Sequence, residues 1–578
     1  MIRRLVSAAL LASLAVQSLP ARTGVPGAVS AADPRAAAAG VEILRAGGSA
    51  ADAAVAMMLA LNVVEPQSSG IGGGGFLVHH DARGNSTTSF DGREQAPMAA
   101  GPHWFYDAAG RPMSHRDAIP GGRSVGVPGN LRMMALVHGR YGKLPWARLF
   151  RPAIRLASKG FKVTPRLNQS LGNYGGHVDA WARARFFQPD GTPKPVGTVI
   201  ANREQAALFE RIAKQGPDSF YVGPNAQSLV ATVNGATRNP SRMTTGDLAS
   251  YSAKERAPVC GTYRTYRICS MGPPSSGGAT VFMILKQLER FDIGAMGRAS
   301  PVAWHLLAES ERLAYADRDA YMGDPDHVSV PIPGLTDPTY LADRSGLIAP
   351  DRTMATVAPG NPVGAPPRIV APQSEPAGTT SMTATDRSGN VAEVTSTIES
   401  PFGSGLTLNG IFLNNELTDF DIVPDKDGAL VANRVEGGKR PRSSMAPTIV
   451  YGPDGQVRIA VGAAGGSTII AQVAKTLIGV LDWNMSAQDA IAMGLIYTPA
   501  PGGVVEQGTE LEGMLPALAQ LGERLQPGKL GLKCNAIEKV GGRWVGAADP
   551  RSEGVWMSET GRTTTIARRQ RKSGTPAE

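Results

Sequence analysis

The stretch Gly378-Thr379-Thr380-Ser381-Met382-Thr383 marks the point where the character of this chain changes abruptly. Before it, residues 350 to 378 contain seven prolines, which remove backbone donors and disfavour both helix and sheet. After it, residues 379 to 386 and 391 to 398 are rich in β-branched side chains and flank a polar turn, so they predict a β-hairpin. The junction between Gly378 and Thr379 is therefore a candidate self-cleavage site.

The predicted hairpin brings further polar side chains to the strand end that begins at Thr379. With a short turn, Thr379 lies opposite Thr397 or Ile398. Because side chains alternate along a strand, Thr397 and Glu399 share a face and both lie beside Thr379. A hydroxyl with a second hydroxyl and a carboxylate alongside is suited to nucleophilic catalysis. Taken alone, however, the hairpin favours an ordinary Thr-rich surface strand.

Short motifs on both sides of the hairpin change this balance. In chain order they are Gly72-Gly73-Gly74-Gly75-Phe76, Asp91-Gly92-Arg93-Glu94, Val125-Gly126-Val127-Pro128-Gly129, Pro273-Pro274-Ser275-Ser276-Gly277-Gly278, Tyr315-Ala316-Asp317-Arg318, Asn414-Asn415-Glu416-Leu417-Thr418-Asp419-Phe420, Lys439-Arg440-Pro441-Arg442-Ser443-Ser444-Met445, Gly462-Ala463-Ala464-Gly465-Gly466-Ser467 and Asp549-Pro550-Arg551. Together they resemble the gamma-glutamyltranspeptidase family of N-terminal-nucleophile hydrolases. Each motif is weak alone, but their number, order and spacing make the resemblance specific.

The resemblance implies an α/β fold with four layers, in which two β-sheets are sandwiched between helices (αββα). Helical and strand patterns interleave along the chain with no composition break except the Pro-rich run, so we expect one compact body made of two processed subunits. The expected segments are a signal peptide over residues 1–27, a large subunit over 28–378, a small catalytic subunit over 379–560 and a basic tail over 561–578. The composition of the tail predicts disorder.

The resemblance also assigns catalytic roles. Thr379 is the expected nucleophile, and cleavage after Gly378 frees its α-amino group to act as the base. A free α-amino group titrates near pH 8, so part of it is unprotonated at neutral pH. Thr397 is expected to hydrogen-bond the hydroxyl of Thr379. Gly465 and Gly466 lie between a predicted strand and a predicted helix, where unpaired N–H groups can form an oxyanion hole, with a simple helix cap as the alternative.

Recognition of a glutamyl group needs a cation for its α-carboxylate and acceptors for its α-ammonium. By position, the resemblance assigns the carboxylate to an arginine and two serines and the ammonium to three acids; these residues are Arg93, Ser443 and Ser444, and Glu399, Glu416 and Asp419. Carboxylates that crowd together repel each other, which favours a bound cation.

The chain departs from the common pattern of the family in three places. Ser381 stands where many members have His, so that position is not an essential base. Glu399 and Glu416 stand where many members have Asn and Gln, which makes the expected ammonium pocket more acidic. The nineteen residues between Asp419 and Lys439 are fewer than in the lid loops of some members and more than in members without a lid. The sequence therefore does not decide whether this segment closes over the site as a lid.

The N-terminal segment and the net charge restrict the possible functions further. Arg3-Arg4 is followed by an apolar run over residues 5–16 and then by small residues, which predicts a secretory signal peptide cleaved between about Ala21 and Ala32. No other segment has the apolar length of a membrane span. We expect a periplasmic or secreted protein. The net charge of +9 does not indicate nucleic-acid binding, because the basic residues are scattered and no binding motif is present.

The three cysteines exclude a disulfide-rich scaffold. Cys260 and Cys269 flank a likely strand pair, so a bridge between them in an oxidising compartment is an open question that the Cα separation decides. Cys534 is expected to be a buried small hydrophobic residue. No His/Cys cluster has the spacing of metal ligands, so the sequence implies neither a metal nor another cofactor.

The sequence thus predicts an exported, self-processing hydrolase and transferase that acts on glutathione and related γ-glutamyl amides, with water, amino acids or peptides as acceptors. Two alternatives remain open. One is an acylase of the same fold that prefers glutaryl or cephalosporin-type amides, although such substrates would have no use for the three acids. The other is a periplasmic binder of γ-glutamyl compounds that never matures, although Thr379, Thr397 and the Gly465-Gly466 turn are intact.

Overall fold

The computed structural model describes residues 24–367, 378–426 and 428–561. Most of the predicted signal peptide, the end of the Pro-rich run and all but the first residue of the predicted basic tail lie outside these residues. The strand Ala28–Ala31 pairs with two neighbours, so signal cleavage at the late end of the predicted range would remove a strand from a sheet. No helix in the described ranges is long and apolar enough to cross a bilayer.

Two antiparallel sheets form the centre of the molecule. Their strands in chain order are β1 (Ala28–Ala31), β2 (Gly74–Asp81), β3 (Ser86–Gly92), β4 (Lys254–Arg256), β5 (Val259–Tyr263), β6 (Tyr266–Ser270), β7 (Thr380–Thr385), β8 (Val391–Thr397), β9 (Thr448–Tyr451), β10 (Val457–Ala464), β11 (Lys533–Val540), β12 (Arg543–Ala548) and β13 (Val555–Ser558). The first sheet has the order β13-β1-β7-β8-β2-β3-β4, and the second has the order β12-β11-β10-β9-β6-β5.

Helices cover the outer face of each sheet. The main helices are α1 (Pro34–Arg45), α2 (Ala50–Val64), α3 (Asn130–Tyr141), α4 (Trp146–Lys159), α5 (Gly277–Leu288), α6 (Pro301–Tyr321), α7 (Thr468–Leu481) and α8 (Ala487–Ala492). The first four pack on the side of the first sheet, and the last four pack on the side of the second sheet. Strands β7 and β8 of the first sheet face β10 of the second. The αββα arrangement expected from the resemblance is confirmed.

Shorter elements connect these layers. The short strands are Phe161–Lys162, Val199–Ile200, Thr407–Leu408, Ile411–Phe412, Asp425–Lys426, Ala429–Leu430, Ile496–Tyr497, Gly503–Glu506 and Leu525–Gly528. The further helices are His115–Ala118, Pro165–Tyr174, Ala180–Phe186, Arg203–Gln215, Asp218–Tyr221, Pro224–Asn234, Thr245–Ser250, Ile293–Met296, Ile332–Leu335, Pro338–Gly346 and Leu515–Gln520. Single 3₁₀ turns are formed by Gly122–Ser124, Gly175–His177, Glu416–Asp419 and Glu512–Met514.

Two long helices, α2 and α6, are buried on more than one face. Every residue of α2 is buried, because α2 lies between the first sheet and the outer helices. Helix α6 is buried along nearly its whole length, and its charged residues pair inside the protein. An apolar stripe in the sequence shows one buried face, and it does not reveal whether a second layer covers the other face.

The structure also answers the question about the cysteines. Cys260 on β5 and Cys269 on β6 are direct cross-strand partners, with a Cα separation of 4.1 Å, and they form a disulfide bond. Cys534 is buried and free, as expected.

Candidate active site

The hairpin of β7 and β8 has the register that the sequence pattern predicts. Thr380 pairs with Ser396, so the preceding residue, Thr379, lies opposite Thr397 at the end of the sheet. The Oγ1 of Thr379 donates a hydrogen bond to the Oγ1 of Thr397 over 3.1 Å. The Thr397 hydroxyl also accepts from the backbone N–H of Glu399 at 2.8 Å. Two buried hydroxyls are thus fixed to each other at the predicted cleavage point.

The backbone at this junction has an unusual conformation. Thr379 has a φ of +84°, which a β-branched residue rarely adopts, and such a conformation costs on the order of 1–3 kcal/mol. A Cβ on Gly378 would lie only 1.4 Å from the carbonyl oxygen of Glu399, so this position accepts glycine alone. The angle φ exists only while the bond to Gly378 is intact. Hydrolysis of that bond would therefore release the strain.

The nitrogen of Thr379 is held by a loop that the sequence analysis did not single out. Its N–H donates to the carbonyl oxygen of Ser68 over 3.2 Å, and the N–H of Ile398 donates to the same oxygen over 3.2 Å. Ser68 lies in the connection between α2 and β2. The sequence signal for this loop is the cluster of turn-forming residues just before the glycine run.

The Gly465-Gly466 turn lies where the sequence predicted it, between the end of β10 and the start of α7. Both residues have positive φ, +136° and +60°, which glycine adopts without a steric penalty. The Thr468 hydroxyl donates to the carbonyl oxygen of Gly465 at 2.8 Å and so fixes the turn. Among the described residues, no protein acceptor receives the N–H of Gly466. This N–H is available to a substrate oxygen.

One pocket collects nearly all of the predicted site residues. It is lined by Arg93, Thr379, Thr397, Glu399, Glu416, Asp419, Ser443, Ser444, Met445, Gly466 and Ile469. Gly465 precedes the lining residue Gly466. Met445 and Ile469 add apolar surface to the pocket, and the sequence analysis gave neither of them a role. Residues separated by more than three hundred positions in the chain therefore meet beside the hydroxyl of Thr379.

The expected carboxylate and ammonium subsites are joined in the structure. The guanidinium of Arg93 forms ion pairs with Glu416 and, at 2.5 Å, with Asp419. It also donates to the carbonyl oxygens of Pro441 and Arg442 at 3.1 and 2.7 Å. A buried guanidinium needs opposite charge, and these two acids supply it. The resemblance had assigned Arg93 and the acids to two different groups, the carboxylate and the ammonium, on the same α-carbon of the ligand.

A further acid, Glu94, belongs to this cluster. Its carboxyl group is fully buried beside Gly74, next to the end of β8. Burial raises the pKa of Glu94 to about 7, while Arg93 acts in the opposite direction. Burial also raises the pKa of Glu416 well above its usual value, against the lowering effect of Arg93. Burial therefore favours a proton on this cluster, and a bound cation would favour its release.

The serine pair also lines the pocket. The Oγ of Ser444 accepts a hydrogen bond from Arg318 at 2.6 Å, and the Oγ of Ser443 accepts from the N–H of Met445 at 3.1 Å. The carbonyl oxygen of Ser443 accepts from the N–H and the hydroxyl of Ser276 at 2.8 and 2.6 Å. These contacts bind the pair to two motifs of the first half of the chain and fix both hydroxyls at the pocket wall.

The departure at Ser381 has a structural reason. Ser381 donates to the carboxyl group of Glu393 at 2.9 Å, and Thr383 donates to the same group. Glu393 lies on β8 between the two sheets, and a Cβ on Gly462 of the facing strand would come within 2.3 Å of its oxygen. Burial raises the pKa of Glu393 well above its usual value. A small residue at 381 leaves room for this protonated acid between the sheets.

Comparison with known proteins agrees with the geometry. The family model of gamma-glutamyltranspeptidase matches residues 36–558. The chain is 36% identical over 544 residues to a glutathione hydrolase proenzyme of Bacillus subtilis (strain 168), which covers 92% of this chain and 91% of the relative. It is 34% identical over 553 residues to the acylase ACY 1 proenzyme of Pseudomonas sp. (strain SE83), which covers 93% and 94%.

Among solved structures, the cephalosporin acylase from Bacillus halodurans superposes with a TM-score of 0.81 at 25% identity. The alignment covers 94% of this chain and 99% of the acylase chain. The fold therefore occurs in proteins that bear the names of two activities, glutathione hydrolase and acylase.

Proposed function

The chain belongs to the gamma-glutamyltranspeptidase family, and from this premise we propose that it is a self-processing γ-glutamyl hydrolase and transferase that acts on glutathione and related γ-glutamyl amides. The observation that carries the proposal is the single pocket in which the Thr379 hydroxyl, the free N–H of Gly466 and a cluster of one arginine and several acids meet. The proposal also includes export and a division into a large subunit, 28–378, and a small subunit, 379–560.

In the first step, the proposed role of Thr379 is to cleave its own peptide bond. The hydroxyl attacks the carbonyl carbon of Gly378, the C–N bond breaks, and the nitrogen leaves as the α-amino group of Thr379. The resulting ester is opened by water, which restores the hydroxyl and leaves a carboxylate on Gly378. The positive φ of Thr379 supports this step, because the strain is present only before cleavage.

In turnover, the α-amino group takes the proton of the Thr379 hydroxyl, which then attacks the γ-carbonyl carbon of the substrate. The N–H of Gly466 donates to the developing oxyanion, and the Thr397 hydroxyl holds the attacking oxygen in place. The amine product leaves with the proton. Water or an acceptor amine then attacks the γ-glutamyl ester, which gives hydrolysis or transfer.

Substrate recognition is proposed to use the joined charge cluster. The α-ammonium of the glutamyl group is held by Glu399, Glu416 and Asp419, and its α-carboxylate is held by Arg93 and the serine pair. Four buried acids, including Glu94, lie around one arginine, whose single charge balances at most one of them, so a bound ammonium group would stabilise the ionised form of the others. This arrangement disfavours an acylase whose substrates, such as glutaryl amides, carry no ammonium on the acyl group.

Variants of Thr379 test the proposal. Thr379→Ala should abolish both chain cleavage and turnover, because one hydroxyl serves both steps, whereas Thr379→Ser should retain part of each. Intact mass of the purified protein shows whether a fragment begins at Thr379. Incubation with glutathione, with and without glycylglycine, measures hydrolysis and transfer. An uncleaved Ala variant with full activity, or a small fragment that begins elsewhere, would show that the assignment is wrong.

A denaturing gel and the intact mass of the purified protein also test the alternative of a non-maturing binder. It predicts one intact chain that binds γ-glutamyl compounds and turns none of them over. A wild-type protein that remains a single chain after prolonged incubation and releases no amine from glutathione would favour the binder.

A further inference from the structure

We propose that Lys533 is a positioning residue that holds the nitrogen of Thr379 and the Gly465-Gly466 turn at a fixed distance from each other. The proposal rests on the proposed function, because it concerns the two groups that carry the chemistry there. No sequence motif marked Lys533, which lies at the first position of β11. It is attached to both sides of the site by separate contacts.

The side chain of Lys533 is attached to the loop beneath Thr379. Its ammonium group is fully buried and donates to both carboxylate oxygens of Glu65, at 2.8 and 2.9 Å. It also donates to the hydroxyl of Ser68 at 3.5 Å. The Nε of Arg166 lies 3.6 Å from Glu65 and completes the charge group. Burial lowers the pKa of Lys533 to about 8, while Glu65 acts to raise it.

Ser68 transmits this attachment to the nucleophile. Its carbonyl oxygen accepts the N–H of Thr379 and the N–H of Ile398, the residue that follows Thr397, which lies opposite Thr379. After cleavage, this nitrogen becomes the proposed α-amino base, and in the intact chain the Ser68 carbonyl is its backbone acceptor. A shift of Ser68 therefore moves the base relative to the hydroxyl that it activates.

The backbone of Lys533 is attached to the oxyanion turn. Lys533 pairs with Ala464, the last residue of β10 before the turn. Its N–H donates to the Oε1 of Gln472 at 3.1 Å, and the Nε2 of Gln472 donates to the carbonyl oxygen of Ala464 at 2.8 Å and to the Thr468 hydroxyl at 3.1 Å. The side chain of Gln472 thus ties Lys533 to both ends of the turn.

A buried ion pair is a poor explanation of stability by itself. Replacement of such a pair by apolar residues of similar volume is often neutral or stabilising, so stability alone does not require a lysine here. Catalysis, in contrast, requires the base, the nucleophile and the oxyanion donors to keep their distances closely, and a shift of about 1 Å can cost a hundredfold in rate. The contacts of Lys533 span these groups.

The test compares Lys533→Met and Lys533→Arg with a matched control, Lys475→Met. Lys475 is also fully buried, donates to the carbonyl oxygens of Ile491 and Met493 at 3.0 Å, and has a pKa lowered by burial to about 8. In the described part of the chain, its ammonium group makes no hydrogen bond or ion pair with Glu65, Ser68 or Gln472. Each protein is assayed for the rate of self-cleavage, for kcat and KM on γ-glutamyl-p-nitroanilide, and for Tm.

We expect Lys533→Met to lower kcat and the cleavage rate by at least tenfold with KM within about twofold, and Lys533→Arg to restore part of kcat. Lys475→Met should lower Tm with kcat within about twofold. If Lys533→Met does not fold, Glu65→Gln replaces it and should lower kcat in the same way. The proposal is overturned if the folded variant keeps its kcat, or if Lys475→Met loses as much.

The two proposals fail in different ways. A wild-type protein that does not hydrolyse γ-glutamyl-p-nitroanilide contradicts the proposed function. In that case the rate of self-cleavage still tests Lys533, because the same nitrogen and turn take part in it. Wild-type activity with no effect of Lys533→Met on either rate contradicts the positioning role alone.

Discussion

At the scale of single residues, the pocket is defined by charge. Arg93 is buried with Glu416 and Asp419 as direct partners, and Glu399 lies against the same cavity. A side chain of this kind in a sequence is usually a solvated surface charge, and residue type alone does not reveal its burial. The position of each residue in a motif identified the cluster, and the structure shows that its members contact one another.

Replacement of Asp419 by alanine separates the glutamyl enzyme from the acylase. The variant loses a charge-assisted bond to the substrate ammonium, worth roughly 1.5 to 3 kcal/mol, so kcat/KM for γ-glutamyl-p-nitroanilide should fall about tenfold or more. A glutaryl analogue has no ammonium, and its turnover should stay the same or improve. Assays of both substrates on both proteins give the four rate constants that are needed.

Asp421→Ala is the matched control for this experiment. Asp421 is buried two positions further along the chain and does not belong to the pocket lining. It should change the two substrates to the same small extent. Equal loss for both substrates in Asp419→Ala would assign a structural role to Asp419 and remove the main support for the glutamyl substrate.

At the scale of elements, α6 shows how much charge the core accepts. Glu311 lies in its middle, fully buried, and accepts from the N–H and the hydroxyl of Thr498 at 2.8 and 2.9 Å. Its other oxygen has no partner among the described residues. Burial raises the pKa of Glu311 to about 8 from an ordinary 4.5. The helix is therefore stable with this acid protonated.

The pH dependence of stability should reveal Glu311. Below pH 4.5 the carboxyl is protonated in both states; between pH 4.5 and 8 the unfolded chain releases the proton and the folded protein keeps it. The free energy of unfolding therefore falls as pH rises through this window, by at most about 1.4 kcal/mol per pH unit.

Glutamine cannot titrate, so Glu311→Gln does not lose this stability as pH rises. The Tm of the variant should therefore increase relative to the Tm of wild type from pH 5 to pH 8. Glu210→Gln, at an exposed helical position, is the control and should leave the pH dependence unchanged. Parallel Tm curves for wild type and Glu311→Gln would mean that Glu311 ionises normally in the folded protein.

At the scale of the whole molecule, the two predicted subunits are interleaved. In the first sheet, β1 from the first segment lies between β13 and β7 from the second, and β8 pairs with β2. In the second sheet, β9 pairs with β6. Cleavage at Gly378 would break one bond and leave every one of these strand pairs in place.

We therefore expect the cleaved protein to remain a heterodimer. Two fragments should appear on a denaturing gel. Native size-exclusion chromatography should give one species with the combined mass of the two fragments. Separation should require denaturant, because separate subunits would expose unpaired strand edges and the apolar faces of both sheets. Fragments that separate in buffer without denaturant would contradict the interleaved topology. Thr379→Ala, as the uncleaved form, supplies the reference elution volume.

The sequence by itself determined the features that depend on neighbouring residues. The alternation of side chains and the short turn limited Thr379 to a position opposite Thr397 or Ile398, and the structure has the first of these registers. The strand, the two glycines and the following helix start fixed the location of the oxyanion turn. The resemblance supplied the fold and the members of the charge cluster except Glu94.

Only the tertiary structure decided the contacts between distant positions. Glu65 and Lys533 meet across 468 positions, Arg93 contacts Glu416 across 323, and the disulfide depends on a Cα separation that no local pattern reports. The same holds for the complete burial of α2, because a second layer of helices covers its other face. Local sequence sets the conformation of an element, but the burial and pairing of its charges depend on which other elements pack against it.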